Sequence, residues 1–225
     1  MAITFQSETH TTGNASSFTF SHTPTGNNRM LLVNVSSKGS LYPLVSSVTF
    51  NTTENLVQCS GALYGSVMVG EVWCLPNPTA TTANVVVTLN GSQKAVCGAT
   101  TYAGVDSVNL SNIQINTGQD LNPSGTITTQ NTGSIIVQAL AVRDRKTVIT
   151  NDVNYTQRYA DFSTGNPAGN TSWGLGLDRG VSAGLAIGSY PSSYTIDTVE
   201  GWVLIDSELI PAASAVLSRT QAFIF

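Results

Sequence analysis

Residues 83–103 read ANVVVTLNGSQKAVCGATTYA, and this stretch decides the fold class. Two runs rich in Val, Thr and small residues, Ala83 to Leu89 and Lys94 to Ala103, flank the pair Asn90-Gly91. β-Branched residues favour strands, and an Asn-Gly pair favours the positive φ angles of a tight hairpin turn. The stretch therefore predicts two antiparallel strands joined by a hairpin.

The same kind of run recurs along the chain, separated by Gly, Pro, Asn and Ser clusters, and helical periodicity is almost absent. Further strands are predicted at Ser17 to His22, Met30 to Ser36, Ser46 to Phe50, Val67 to Leu75, Ser134 to Val142, Val153 to Ala160, Thr171 to Leu177 and Val181 to Ser189, with a strand-like run at Val199 to Ile205. Ten or more short strands at this spacing predict an all-β, antiparallel two-sheet sandwich.

The length of 225 residues suits one such domain. We expect an N-terminal arm at residues 1–16, the sandwich at 17–190, and a C-terminal extension at 191–225 that docks on the sandwich or on a neighbouring subunit. The extension ends in Phe223, Ile224 and Phe225. An apolar segment of this kind needs cover, so these three residues are candidate assembly contacts.

Charged residues make up only 10% of the chain, and the net charge is -4. Such a chain lacks the clustered Lys and Arg that phosphate backbones require, which argues against a nucleic-acid partner. No run approaches the length of a membrane span, and residues 1–5 lack a basic n-region and an apolar h-region, so the sequence predicts neither membrane insertion nor export from the cytoplasm. Three cysteines without a C-x-x-C pair predict free structural thiols instead of a disulfide framework or a zinc site.

Several motifs resemble the concanavalin A-like jelly-roll sandwich domains of phage structural proteins and bacterial surface proteins. They are Gly26 to Val33, Val45 to Phe50, Gly70 to Pro78, Asn84 to Thr88 and Tyr102 to Asp106. The resemblance covers roughly residues 15 to 190 and implies a jelly-roll fold without transferable catalytic residues. It departs from the family where Asn51-Thr52-Thr53-Glu54 replaces a Gly-rich turn.

The sequence offers little for catalysis. It has no Glu-x-Asp-x-Glu strand of the glucanase kind, and its two histidines, His10 and His22, stand without a Gly-x-Ser-x-Gly elbow. The pair Asp206 and Glu208 shares strand parity, but the nearby Pro211 favours a solvated turn. We therefore predict no enzyme activity, no metal and no cofactor.

The tryptophans suggest sugar binding as an alternative to a purely structural role. Trp73 lies two residues after Glu71, on the same face of a strand, and Trp73, Glu71, Trp173 and Trp202 are the candidate glycan-stacking residues. Exposed indoles would support sugar binding, whereas buried ones would support core packing.

The resemblance and the charge-poor composition together predict a bacteriophage virion structural protein, specifically a capsid decoration (cement) protein. Its expected partners are the major capsid protein or neighbouring copies in a homo-oligomer, since a neutral polar face is easily covered by neighbours. The alternative is a carbohydrate-binding module of a tail fibre or of a bacterial surface adhesin.

Overall fold

The computed structural model describes residues 1–40, 42–144, 149–150, 152–163 and 171–213. The candidate assembly contacts Phe223, Ile224 and Phe225 lie outside this range. The described residues form sixteen strands and no helix. The strands are β1 (Thr4–His22), β2 (Met30–Lys38), β3 (Val45–Phe50), β4 (Glu54–Asn55), β5 (Val57–Tyr64), β6 (Met68–Pro76), β7 (Ala83–Ala103), β8 (Val105–Asp120), β9 (Ser124–Thr129), β10 (Ile135–Arg143), β11 (Ile149–Thr150), β12 (Thr156–Phe162), β13 (Ser172–Arg179), β14 (Gly188–Ser193), β15 (Thr195–Ile196) and β16 (Glu200–Pro211).

The predicted hairpin at Asn90-Gly91 is wrong, because residues 83–103 form the single strand β7. Its antiparallel partner β1 pairs with both halves of it, from Thr4 opposite Ala103 to Ala15 opposite Gln93 and from Ser17 opposite Thr88 to His22 opposite Ala83. One irregularity, between Ala15 and Ser17 of β1, lies opposite the Asn-Gly region. A continuous partner strand supplies backbone hydrogen bonds on both sides of the Asn-Gly pair, so the chain passes through without reversing.

The first sheet has the order β4-β3-β7-β2-β6-β5, with β1 on the other edge of β7. β3 pairs with the first half of β7 and β2 with the second half. Val85 and Val87 of β7 share one buried cluster with Leu31 and Val33 of β2 and with Phe50 of β3. The sheet therefore curls, and its two halves enclose a first core.

The second sheet has the order β12-β13-β10-β16-β8. Its inner face packs against the first sheet, where Val203 and Ala141 join Met68 and Val72 in one cluster. Its outer face is covered by two ribbons, β9 with β14 and β11 with β15, which contribute Ile127, Tyr194 and Ile196 to another core. The expected all-β antiparallel sandwich is confirmed, and β16 is buried on both faces from Gly201 to Leu209.

The expected division into arms and sandwich differs from the structure. The boundary between residues 16 and 17 falls inside β1, and the boundary between residues 190 and 191 falls inside β14. β16 lies between β10 and β8, well within the second sheet. Both expected arms contribute core residues, such as Ile3 and Leu209, because a strand that completes a sheet buries its apolar side chains with it.

The expectation of three free thiols is wrong for two of the cysteines. Cys59 and Cys74, on the neighbouring strands β5 and β6, are joined by a disulfide with a Cα–Cα distance of 6.1 Å. Cys97 is free and buried, and burial raises the pKa of its thiol. With three cysteines, one thiol must stay unpaired, but the other two can form a disulfide when they lie on neighbouring strands.

The ring of Tyr159 occupies space left by two glycines, Gly98 of the first sheet and Gly176 of the second. A Cβ atom on either glycine would overlap this ring. We expect Gly98→Ala to lower the free energy of unfolding in urea by about 1–3 kcal/mol, the usual cost of overpacking a core. Gly39→Ala is the control, because its new Cβ would approach no atom closer than 3.5 Å. Equal stability of the two variants would contradict this packing.

Candidate functional site

Two carboxylates lie side by side on the outer face of β16. Asp206 and Glu208 are both 0% exposed, beneath the ribbons that cover the second sheet. The solvated turn expected here is wrong, because β16 continues to Pro211 and pairs there with Val105 of β8. In many active sites, two neighbouring buried carboxyl groups have pKa values that differ because their surroundings differ. The hydrogen-bond partners of Asp206 and Glu208 therefore have to be compared.

Asp206 takes part in a buried polar network. Its Oδ1 accepts a hydrogen bond from Gln138 Nε2, which also donates to Ser192 Oγ at 2.9 Å. The hydroxyl of Tyr194 donates to Gln138 Oε1. Among the described residues, no donor reaches Asp206 Oδ2. Burial raises the pKa of Asp206 to about 6, although the bond from Gln138 lowers it somewhat.

Glu208 has the opposite environment. Its carboxylate accepts hydrogen bonds from Asn112 Nδ2 at 2.6 Å, from the backbone N–H of Asn131 at 2.9 Å and from the backbone N–H of Gln130 at 3.1 Å. Burial alone would raise the pKa of Glu208, but these donors hold it below its ordinary value. The carboxylate is enclosed by them and works as an internal anchor for the segment before β10.

A recess of about 500 Å³ lies on the surface between β8 and the β9–β14 ribbon. Its lining residues are Asn116, Ser124, Gly125, Thr126, Pro191, Ser192 and Ser193. A Cβ on Gly125 would stand 3.0 Å from Asp206 Oδ2 and 2.6 Å from Asn116 Nδ2. Glycine at this position therefore lets the β9–β14 ribbon approach both polar groups closely.

The structure brings Glu71 and Trp73 together, but inside the molecule. Glu71 is fully buried and accepts hydrogen bonds from the backbone N–H of Leu44 at 2.6 Å, from that of Val45 at 3.3 Å and from Trp73 Nε1 at 3.1 Å. Burial, partly offset by these bonds, raises the pKa of Glu71. The carboxylate thus fixes the start of β3 against β6.

The other two tryptophans lie on the second sheet, opposite Val142 of β10 on either side. Trp202 is 4% exposed and Trp73 is 8% exposed, while Trp173 is partly buried against the outer core. Trp202 Nε1 donates to Asp120 Oδ1 at 3.3 Å. Packing of the indole faces of Trp73 and Trp202 favours a core role over sugar stacking.

Two buried polar clusters were not anticipated from the sequence. Asp178 accepts hydrogen bonds from Tyr102 Oη at 2.9 Å and Arg158 Nη2 at 2.9 Å, which links the two sheets. His22 lies among the hydroxyls of Thr9 and Thr101, and burial lowers its pKa to about 4. Asp178 and His22 differ from surface residues in the partners that they contact on other strands. A single sequence does not show which strands are neighbours.

The described residues contain no cluster of three or more His, Cys, Asp or Glu side chains placed to hold a metal ion. The same part of the chain has no helix that could serve as a membrane span.

One side of the sandwich has an apolar surface. Here the edge strands β5 and β8 lie next to each other, and we call this surface the β5–β8 side. It contains a recess of about 270 Å³ lined by Met30, Val57, Cys74, Pro76, Asp106, Ser107 and Val108. Val57 is 60% exposed and Ile115 of β8 is 44% exposed.

Comparison of the chain with protein-family models, with curated proteins and with solved structures found no match. The expected relation to concanavalin A-like domains therefore stays a prediction, and functional inference depends on the geometry described above.

The raised pKa of Asp206 has a measurable consequence for stability. The folded protein holds this proton more tightly than the unfolded chain, so the free energy of unfolding falls as the pH rises from 3.8 to about 6. We expect Asp206→Asn to remove this fall, which amounts to about 3 kcal/mol for a shift of about two pKa units. Urea unfolding at a series of pH values measures it, and a variant with the same pH profile as the wild type would contradict the assignment.

The lowered pKa of Glu208 predicts the opposite dependence of the free energy of unfolding on pH. Its lowered pKa stabilises the fold above the ordinary pKa of 4.5, and this contribution is lost as the pH falls through the folded-state pKa. We expect Glu208→Gln to lower the free energy of unfolding by roughly 2–3 kcal/mol at neutral pH, because an amide cannot accept from all the donors around it. The deficit should shrink on acidification, and a deficit that is the same at every pH would contradict the anchor role.

Proposed function

We propose that this protein is a structural component of a bacteriophage virion, a decoration protein that binds the outer surface of the capsid. The observation that carries the proposal is the β5–β8 side, where two strand edges without a partner among the described residues flank an apolar recess. We infer that the partner is the major capsid protein or a neighbouring copy of this chain, which would place an apolar side chain in the recess.

Strand edges support this proposal. Among the described residues, β5 pairs only with β6 and β8 pairs only with β16. An edge strand presents unpaired backbone N–H and C=O groups to which another chain can bond. Monomeric proteins normally protect such edges with charged side chains, whereas here exposed Val57 and Ile115 stand beside them.

The distribution of charge supports the same function. Five of the thirteen carboxylates, Glu71, Asp144, Asp178, Asp206 and Glu208, are buried. Because these carboxylates lie inside the protein, its surface carries fewer charged groups than the composition alone indicates. Covering a neutral surface costs little desolvation, which suits a protein that buries its faces against neighbours in a regular lattice.

A jelly-roll relation to phage structural proteins is part of this proposal. It is supported by the motif resemblance and by the antiparallel sandwich, and the virion is the location that it implies. A carbohydrate-binding role based on tryptophan platforms has less support, because Trp73 and Trp202 are packed in the cores.

Virions produced from a genome that encodes this chain provide the test. We expect mass spectrometry of purified particles to detect the chain in a fixed copy number per capsid. Particles that lack the chain should regain it from purified protein and then release their genome at a higher temperature. Absence of the chain from purified particles would refute the proposal.

The β5–β8 side is tested by Val57→Asp, which places a charge at the recess and should weaken rebinding by about tenfold or more. Val153→Asp is the matched control, because Val153 is 96% exposed and shortly precedes β12, which lies at the opposite end of the second sheet from β8. Equal binding of the two variants would show that another surface makes the contact.

A further inference from the structure

We propose that Asn90 is a self-modification site, at which the backbone nitrogen of Gly91 attacks the side-chain amide and converts this asparagine into aspartate and isoaspartate. The reaction consumes water and releases ammonia. The site does not depend on the virion assignment, because neither residue belongs to β5 or β8.

The first argument is the sequence of this dipeptide. Asn90-Gly91 is the only Asn-Gly pair among the 225 residues. A side chain on the residue after an asparagine obstructs the approach of the backbone nitrogen to the asparagine Cγ atom, and glycine has no side chain. The pair that composition predicts to be a hairpin turn is therefore the place in this chain where cyclisation meets the least steric resistance.

The second argument is the break in strand pairing around Gly91. On one edge of β7, β1 pairs with residues 83–88 and 93–103. On the other edge, β3 pairs with residues 85–89 and β2 pairs with residues 94–102. Gly91 is therefore paired with no described strand. Its N–H is not held in a ladder that would direct it away from the preceding side chain.

The third argument is access to the reacting atoms. Asn90 and Gly91 are both exposed. Beyond its chain neighbours, no atom lies within 4 Å of the place where a Cβ on Gly91 would stand. The φ angle of Gly91 is 142°, in a region that residues with a Cβ rarely adopt. Water and hydroxide can therefore reach the dipeptide, and the peptide nitrogen has room to turn toward the Asn90 side chain.

The reaction needs no reagent except water. Hydroxide takes the proton of the Gly91 N–H, and the nitrogen forms a bond to Asn90 Cγ. The bond between Cγ and Nδ2 breaks, and Nδ2 leaves as ammonia with a proton from water. Water then opens the succinimide ring at either carbonyl, which gives aspartate or isoaspartate. The sum is the hydrolysis of one amide, without oxidation or reduction.

One contact opposes the reaction. Asn90 Nδ2 donates a hydrogen bond to the backbone oxygen of Pro43 at 3.1 Å, and this bond must break before ammonia leaves. Loss of a single exposed hydrogen bond slows such a step by about tenfold at most. We therefore expect this contact to delay the modification without preventing it.

The product changes the segment before β3. An aspartate side chain accepts hydrogen bonds but does not donate them, so it would face the carbonyl of Pro43 without a donor. The contact between β7 and Pro43 is then lost. Leu44 keeps its own anchor, because its N–H donates to the buried Glu71 at 2.6 Å. The modification thus acts on the loop in front of β3 and leaves the buried contact in place.

The test incubates the full chain at mildly alkaline pH in water enriched in ¹⁸O, followed by peptide mapping with mass spectrometry. We expect ¹⁸O-labelled aspartate and isoaspartate at residue 90, formed within about tenfold of the rate in the chain unfolded by guanidinium chloride. Asn34 is the internal reference, because β2 is paired there on both sides and Val35 follows it. A slower reaction of the folded chain than this limit, or faster labelling at Asn34, would overturn the proposal.

Variants separate cyclisation at this pair from other causes of labelling. Asn90→Gln keeps a side-chain amide before Gly91 but must close a larger ring, so it should stay unlabelled while the wild type reacts. Asn90→Asp reproduces one product and should lower the midpoint of thermal unfolding by about 2–4 °C. Labelling of Asn90→Gln at the wild-type rate would overturn the proposal, and wild-type stability of Asn90→Asp would overturn its effect on the Pro43 loop. Failure of the capsid experiment would leave these results unaffected, because they are measured on the isolated chain.

Discussion

The structure depends on a strand that is buried on both faces. β16 packs one face against the first sheet and the other against the two ribbons, so each of its polar side chains must find partners inside the protein. Unpaired polar groups are costly in such a place. Glu208 is surrounded by four donors or more, whereas Asp206 is satisfied at one oxygen only. The same constraint thus yields a structural anchor and, two residues away, a group that can still accept a hydrogen bond.

Several carboxylates of this protein are buried, and some of its apolar side chains are exposed. Carboxylates lie inside, in hydrogen-bonded networks that hold strands and ribbons together. Apolar side chains such as Val57 and Ile115 lie outside, beside strand edges that have no partner within the described part of the chain. Exposed apolar side chains favour contact with other chains. Burial of the carboxylates leaves few ionisable groups on the surface, where a substrate could contact them. Both features support a structural role, and both arise from how the sheets are covered.

The sequence predicts the fold class because alternating and β-branched runs report local strand geometry. It does not predict long-range pairing. Asn90-Gly91 has the composition of a hairpin turn, yet β1, which begins some eighty residues earlier, pairs with β7 on both sides of this dipeptide, so the chain does not reverse there. The apolar residues Val203 to Ile205 and Leu209 on either side of Asp206 and Glu208 indicate a strand that continues, but Pro211 favours a turn. Cys59 and Cys74 meet only because β5 and β6 are neighbours. The burial of Trp73 and of Glu71 likewise depends on the curl of the first sheet, which no local pattern encodes.

The claim that this protein acts through contacts with other virion proteins is tested most directly by a cryo-electron microscopy map of the assembled particle. We expect copies of the sandwich on the outer shell, with strands β5 and β8 against a capsid subunit or a sister copy and with density in the recess at Val57. A map in which the sandwich is missing from the shell, or in which this side faces solvent on all copies, would contradict the proposed virion role.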